Sequence, residues 1–152
     1  MTTRTIVHHT FVIERHYSTA PERVFSAFAD KSTKRRWCVE SEGFTVDAFE
    51  MDFREGGLEE SRFRFGDGPE IVFQGVYQDI VPNARIVFAY TMAAAGARMS
   101  ASLTTIEFVP ALNGTELKFT EQGAFFDGID SAAGREEGTR GLLEALAKEL
   151  AM

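Results

Sequence analysis

From Phe44 to Gly123 apolar and polar residues alternate in short segments, and the period then changes once, for good. In the last stretch, Ser131 to Ala151, Leu142, Leu143, Leu146 and Leu150 recur at three- and four-residue steps and form one apolar stripe. A chain ordered this way has few folds open to it. Consecutive strands joined by short turns make an antiparallel sheet. A sheet with one apolar face needs a cover, and the terminal helix is the element long enough to supply it. About twenty residues at roughly 1.5 Å each give a rod of about 30 Å. Asp130 or Ser131 can cap its start, and Glu144 lies four before Lys148, the better orientation for a helical ion pair. Its first half is unusual. Gly134, Gly138 and Gly141 each cost about 1 kcal/mol relative to Ala, which suggests close approach of another backbone or empty room beside the rod.

The segments follow in order. Residues 1 to 9 carry little signal. Phe11 to Tyr17 reads as a strand with Phe11, Ile13 and Tyr17 on one face. Pro21 to Ala29 reads as a helix, with Thr19 as a cap and Val24, Phe25 and Phe28 as its apolar face. Asp30 to Cys38 reads as a second short helix closing on Trp37. Strands are expected at Phe44 to Phe53 and Leu58 to Phe65, then through Ile71, Phe73, Gly75 and Tyr77. Further strands are expected at Arg85 to Met92 and Met99 to Val109, and through Leu117 and Phe119 to Gly123. Ala93 to Ala97 reads as a small-residue connection, and Asn113-Gly114 is a hairpin signal. The fold class is therefore α+β: seven antiparallel strands, two short helices between strands 1 and 2, and one long C-terminal helix. At 152 residues a single domain, residues 1–152, is expected.

Composition excludes several functions. Sixteen basic residues against 23 acidic ones give a net charge of −7, which argues against non-specific binding to nucleic acid or an anionic membrane. The basic run Lys31, Lys34, Arg35, Arg36 reads as a solvated helix face. Cys38 stands alone, so no internal disulfide is expected. With no signal-type run and no apolar segment of membrane-spanning length, a cytoplasmic protein without integral membrane contact is the expectation. Gly56-Gly57 lies between strands rather than before a helix, so it is no phosphate loop. His8, His9 and His16 lack metal-site spacing, and no G-x-S-x-G elbow occurs. Neither metal nor cofactor is expected.

Alternation gives a sharper lead. If Phe63 and Phe65 face inward, so do Ser61 and Glu59. Leu117 and Phe119 place Glu121 inward, and Ile106 and Phe108 bring Thr104, Ser102 and Ser100 to the same side. Arg135 lies seven before Leu142 on the helix stripe. An aromatic cavity with a few polar groups is the usual composition of a small-molecule site. The expected cavity residues are Trp37, Phe49, Met51, Ser61, Phe63, Phe73, Tyr77, Phe88, Tyr90, Ser102, Thr104, Ile106, Glu121, Arg135, Gly138, Thr139 and Leu142. Glu59 and Glu121 are the candidates for acid–base chemistry, against the plainer reading that each sits in water at a strand end or pairs structurally with Arg135. Each aromatic is also an ordinary core residue by type, and Trp37 either closes the mouth or simply packs.

An ordered set of short motifs carries a resemblance. It comprises Ala20-Pro21-x-x-Val24-Phe25, Trp37, Asp52-Phe53-Arg54-x-Gly56-Gly57, Gly75-x-Tyr77, Ile80-x-Pro82, Arg85-Ile86-x-Phe88, Gly114-Thr115-x-Leu117-x-Phe119, and Gly138 followed by Leu142 and Leu146. Over residues 11 to 150 the layout resembles the helix-grip fold of the START-like superfamily. It looks most like the branch related to the C-terminal domain of the Hsp90 ATPase activator. The resemblance implies a pocket between helix and sheet for a small apolar or amphipathic molecule. It does not imply one reaction, because relatives include lipid carriers, hormone receptors, polyketide cyclases and co-chaperone domains. The chain departs at Thr139, where relatives often carry Trp, which enlarges or repolarises the cavity. Three functions stay open: ligand binding, a cyclase-, dehydratase- or hydrolase-type enzyme, and a protein-interaction domain with a chaperone partner. The outer face, reading Arg62, Arg64, Gln74, Glu116 and Lys118, speaks against an apolar docking patch. A homodimer through an edge strand is a further open partner.

Overall fold

The computed structural model describes residues 4–40 and 42–151. Its elements are β1 (Ile6–Tyr17), α1 (Pro21–Ala29), α2 (Lys31–Lys34), a π-helical turn (Arg35–Val39), β2 (Phe44–Met51), β3 (Leu58–Phe65), β4 (Ile71–Val81), β5 (Arg85–Ala94), β6 (Ala97–Ala111), β7 (Gly114–Phe126) and α3 (Ala132–Leu150). The seven strands form one antiparallel sheet in the order β1-β7-β6-β5-β4-β3-β2. Each strand from β2 to β7 is joined to its neighbour by a short connection, and β1 closes the order by pairing with the last strand.

One face of this sheet holds the core. Phe11, Ile13, Tyr17, Tyr77, Ile86, Phe88, Ile106, Phe108 and Leu117 are buried there, with Leu143 and Leu146 of α3 against them. Each of those two leucines contributes about 1.5–3 kcal/mol by leaving water. The Tyr17 hydroxyl donates to the Leu143 carbonyl at 2.9 Å and ties the first strand to the last helix. Glu149 takes a two-pronged contact from Arg36, Nε to Oε1 at 3.2 Å and Nη2 to Oε2 at 3.1 Å, which ties the π-helical turn to the end of α3. Helix α3 thus packs on β1, α1 and the π-helical turn.

Several local expectations change. β1 begins at Ile6, because residues 6–10 pair with Gln122–Phe126 although they are exposed on both faces and carry no burial period. Thr19 does not cap α1. The flanking residue is Ala20, without a side-chain cap, and the Thr19 carbonyl instead accepts from the Thr115 hydroxyl at 2.7 Å. Asp30 caps α2, accepting from the Thr33 N–H at 3.0 Å. The Ala93 to Ala97 connection shrinks to Ala95 and Gly96, both at positive φ, and β5 and β6 pair up to that turn. Ser131 caps α3 by accepting from the Gly134 N–H at 3.0 Å. Glu144 reaches Arg15 of β1 at 3.3 Å, and the i,i+4 ion pair of this helix is Glu136 with Arg140 at 2.9 Å. Among the described residues no helix is long and apolar enough to cross a membrane.

Candidate functional site

The strand register lines inward side chains into rows. One row runs Met51, Glu59, Gly75, Tyr90, Ser102, Gly123 across β2 to β7. The next runs Tyr77, Phe88, Thr104, Glu121, and the row on the other side runs Phe49, Ser61, Phe73, Met92, Ser100, Phe125. Both carboxylates that alternation placed inward are there. Glu59 is 4 % exposed and Glu121 2 %. The reading of either as a solvated strand end is therefore excluded.

Each carboxylate sits in its own polar cluster. Glu121 accepts from the Tyr90 hydroxyl at 2.9 Å and from Thr104 Oγ1 at 3.2 Å. Arg135 enters from the first turn of α3. Its Nη1 donates to the Tyr90 hydroxyl at 2.9 Å and stands 3.7 Å from Glu121, while Nη2 donates to Ser100 Oγ and Asp130 Oδ2, each at 2.8 Å. Tyr90 thus passes one hydrogen bond on, from guanidinium to carboxylate. Burial pushes the Glu121 carboxyl above its usual range, and the Tyr90 and Arg135 contacts offset part of that rise. Burial, then the neighbouring Glu121 charge, also raises the Tyr90 hydroxyl. The Ser102 hydroxyl lies near enough to Tyr90 to bear on its ionisation, yet it makes no hydrogen bond.

The second cluster is Glu59, Lys34 and Tyr77. Lys34 Nζ lies 2.6 Å from Glu59 Oε1, and the Tyr77 hydroxyl donates to the same oxygen. The ammonium also stands over the Tyr77 and Phe88 rings at 6.0 and 5.8 Å. Burial disfavours the Lys34 charge, but Glu59, with smaller contributions from Tyr77 and Cys38, outweighs that and holds its pKa above the ordinary value. The solvated-face reading of the basic run is therefore wrong at Lys34, the member that faces Glu59, whose side chain is 12 % exposed. Cys38 lies nearby, its thiol pushed up to about 11 by burial.

Aromatic rings join the clusters: Tyr77 to Phe88 at 4.7 Å, Phe88 to Tyr90 at 6.0 Å, Phe73 to Tyr90 at 4.6 Å. The Phe88 ring lies over Gly75, where an added Cβ would meet it at 2.1 Å. That glycine is where a side chain must be absent for the rings to pack. Toward β3, burial thins. Phe63, Phe73 and Met92 are half-buried, and so is Leu142 on the helix. Phe65 corrects the inward assignment: it is 63 % exposed and packs on Phe44, ring centroids 5.1 Å apart.

Trp37 is buried against Phe28 at 4.9 Å, and its indole N–H donates to the Ala27 carbonyl at 2.8 Å, a packing role. Ile106 is buried between Ile86 and Phe119, and Phe49 lies opposite Ser61. Thr139 is buried, with Oγ1 donating to the Arg135 carbonyl at 2.9 Å. Gly134, Gly138 and Gly141 are exposed, and at Gly138 and Gly141 an added Cβ would meet nothing within 4 Å. Close approach of another backbone is excluded there. Gly138 shares its side of α3 with Leu142 and Glu149, and Glu149 meets the π-helical turn, so Gly138 borders open space on that side. Sequence reasoning missed Lys34 and Asp130. The signal for Lys34 was an inward Glu59 with no counter-ion on its own face of the strand, since Arg62 and Arg64 alternate to the other side.

The family model of the Activator of Hsp90 ATPase homolog 1-like protein matches residues 18–151. The chain belongs to that family. A protein from Rhizobium loti is 60% identical, with a TM-score of 0.89 over 95% of this chain and 99% of its own. An uncharacterized protein from Rhizobium leguminosarum is 39% identical, with a TM-score of 0.94 over 99% of both chains. An AHSA1-like protein from Aeromonas hydrophila, at 19% identity and a TM-score of 0.70 over 94% of this chain and 92% of its own, shares the fold. No curated protein matches the chain. For this AHSA1-like chain the helix-grip fold is thus established, and with it a fold typical of ligand-binding START-like domains.

Proposed function

We propose that this AHSA1-like chain binds a small apolar or amphipathic molecule against the inner face of β3 to β5, between the first half of α3 and the π-helical turn. One observation carries the reading: Phe63, Phe73 and Met92 stay half-exposed on the core face beside buried polar groups, where α3 does not cover the sheet. Apolar surface left open on the inner face gains about 25 cal/mol per Å² when a ligand covers it, before the costs of binding. Gly138 and Leu142 form the helical wall of the groove.

An acid–base role needs a carboxyl oxygen free to meet a substrate. Both oxygens of Glu121 accept from Tyr90, and Glu59 Oε1 is held by Lys34 and Tyr77, which leaves Glu59 Oε2, in an ion-paired carboxylate, as the one oxygen of the two groups without a partner among the described residues. Binding is the better-supported reading. The uncharged fluorophore N-phenyl-1-naphthylamine tests it. The wild-type chain is expected to enhance its emission saturably, and Met92→Trp, which fills the groove, to abolish the enhancement while leaving the circular dichroism spectrum unchanged. Equal emission from both chains rejects the groove as the site.

A further inference from the structure

Charges on the inner face narrow the ligand. Two half-buried cations reach into that face, and both are committed: Lys34 to Glu59 at 2.6 Å, Arg135 to Asp130 at 2.8 Å and to Glu121 at 3.7 Å. A carboxylate or phosphate entering this face would meet three carboxylates and no free cation among the described residues. An unpaired charge moved out of water costs more than an apolar body of the same size returns.

A second observation concerns hydrogen bonding. Ser102 is 8 % exposed, and its hydroxyl has no partner. The hydroxyls two residues away on β6 are both engaged, Ser100 by Arg135 and Thr104 by Glu121. Across the register Ser102 faces Tyr90 on one side and Gly123 on the other, and Gly123 brings no side chain to it. A hydroxyl donates once and accepts twice, and leaving a buried one unmatched costs free energy. Arg135 spans Tyr90 and Ser100 beside it, so a ligand atom reaches Ser102 when the first turns of α3 yield. Those turns carry Gly134 and Gly138, both exposed, and are held by the Ser131 cap and Arg135.

Resting on the groove proposed above, we infer that the ligand is uncharged: an apolar body bearing one alcohol or carbonyl oxygen, which bonds the Ser102 hydroxyl. Fatty acids and phosphate esters are rejected by the committed cations.

Displacement of bound N-phenyl-1-naphthylamine from the full chain by decan-1-ol and by decanoate tests this. The alcohol is expected to displace the probe at about tenfold lower concentration than the carboxylate. Ser102→Ala is expected to weaken the alcohol about fivefold more than it weakens the probe. Decanoate competing as well as decan-1-ol, or an alcohol indifferent to Ser102→Ala, overturns the inference and spares the groove. Absence of probe binding removes the groove and the inference together.

Discussion

At the scale of single residues the chain buries charge in pairs, and each pair tolerates loss of one member badly. Lys34→Met leaves Glu59 buried with Tyr77 alone beside it. We expect a loss of about 3–5 kcal/mol in urea unfolding, most of it recovered in the double variant Lys34→Met/Glu59→Leu. A surface lysine would cost well under about 1 kcal/mol, and that result would place Lys34 in solvent. Glu121 makes a different prediction because its carboxyl is raised by burial. The folded chain then holds a proton over a range in which the unfolded chain has released it. Stability from this group is fully present below the ordinary glutamate pKa and is lost as pH rises through the folded value. The stability of wild type relative to Glu121→Gln should therefore fall as pH rises above the ordinary glutamate value of about 4.3, measured by urea unfolding at several pH values. A constant difference would show that Glu121 titrates alike in both states.

At the scale of elements α3 is two helices in one. Its second half is fixed by Leu143, Leu146 and the Arg36–Glu149 contact, and its first half by one capped turn, Arg135 and the buried Thr139. The glycines of the first half lie in the open, so they weaken the helix without serving a backbone contact. Gly138→Ala should stabilise the chain by about 0.5–1 kcal/mol, read as a rise in thermal midpoint. A fall would mean that Gly138 meets a neighbour that leaves no room for a Cβ. The outer sheet face also differs from its polar reading. Leu58, Val76, Ala89 and Leu103 fall in one row across β3 to β6, with Leu58 63 % and Leu103 37 % exposed, while Arg62, Gln74, Glu116 and Lys118 lie elsewhere on that face.

At the scale of the whole molecule the sheet was legible because period two survives wherever one face is buried. The same rule placed Glu59, Ser61, Ser102, Thr104 and Glu121 on the core side. It failed where burial gives no alternation. Residues 6–10 are exposed on both faces and so read as featureless, though they are strand. Phe65 sits past the edge of the core, where hydrophobicity no longer implies inwardness. Lys34 lies in a four-residue helix, too short to show a face, so its pairing with Glu59 of β3 could not be read from its own segment.

The pairing of β1 with β7 joins residues about a hundred positions apart, Tyr17 to Thr115 and Ile6 to Phe126. On the ribosome the first strand therefore emerges with its only neighbour still unmade. At roughly 5–20 residues per second it waits on the order of 5–20 seconds for β7 to be translated. During that interval Phe11, Ile13 and Tyr17 have no strand to lie beside, and nascent-chain holders have their longest claim on this polypeptide.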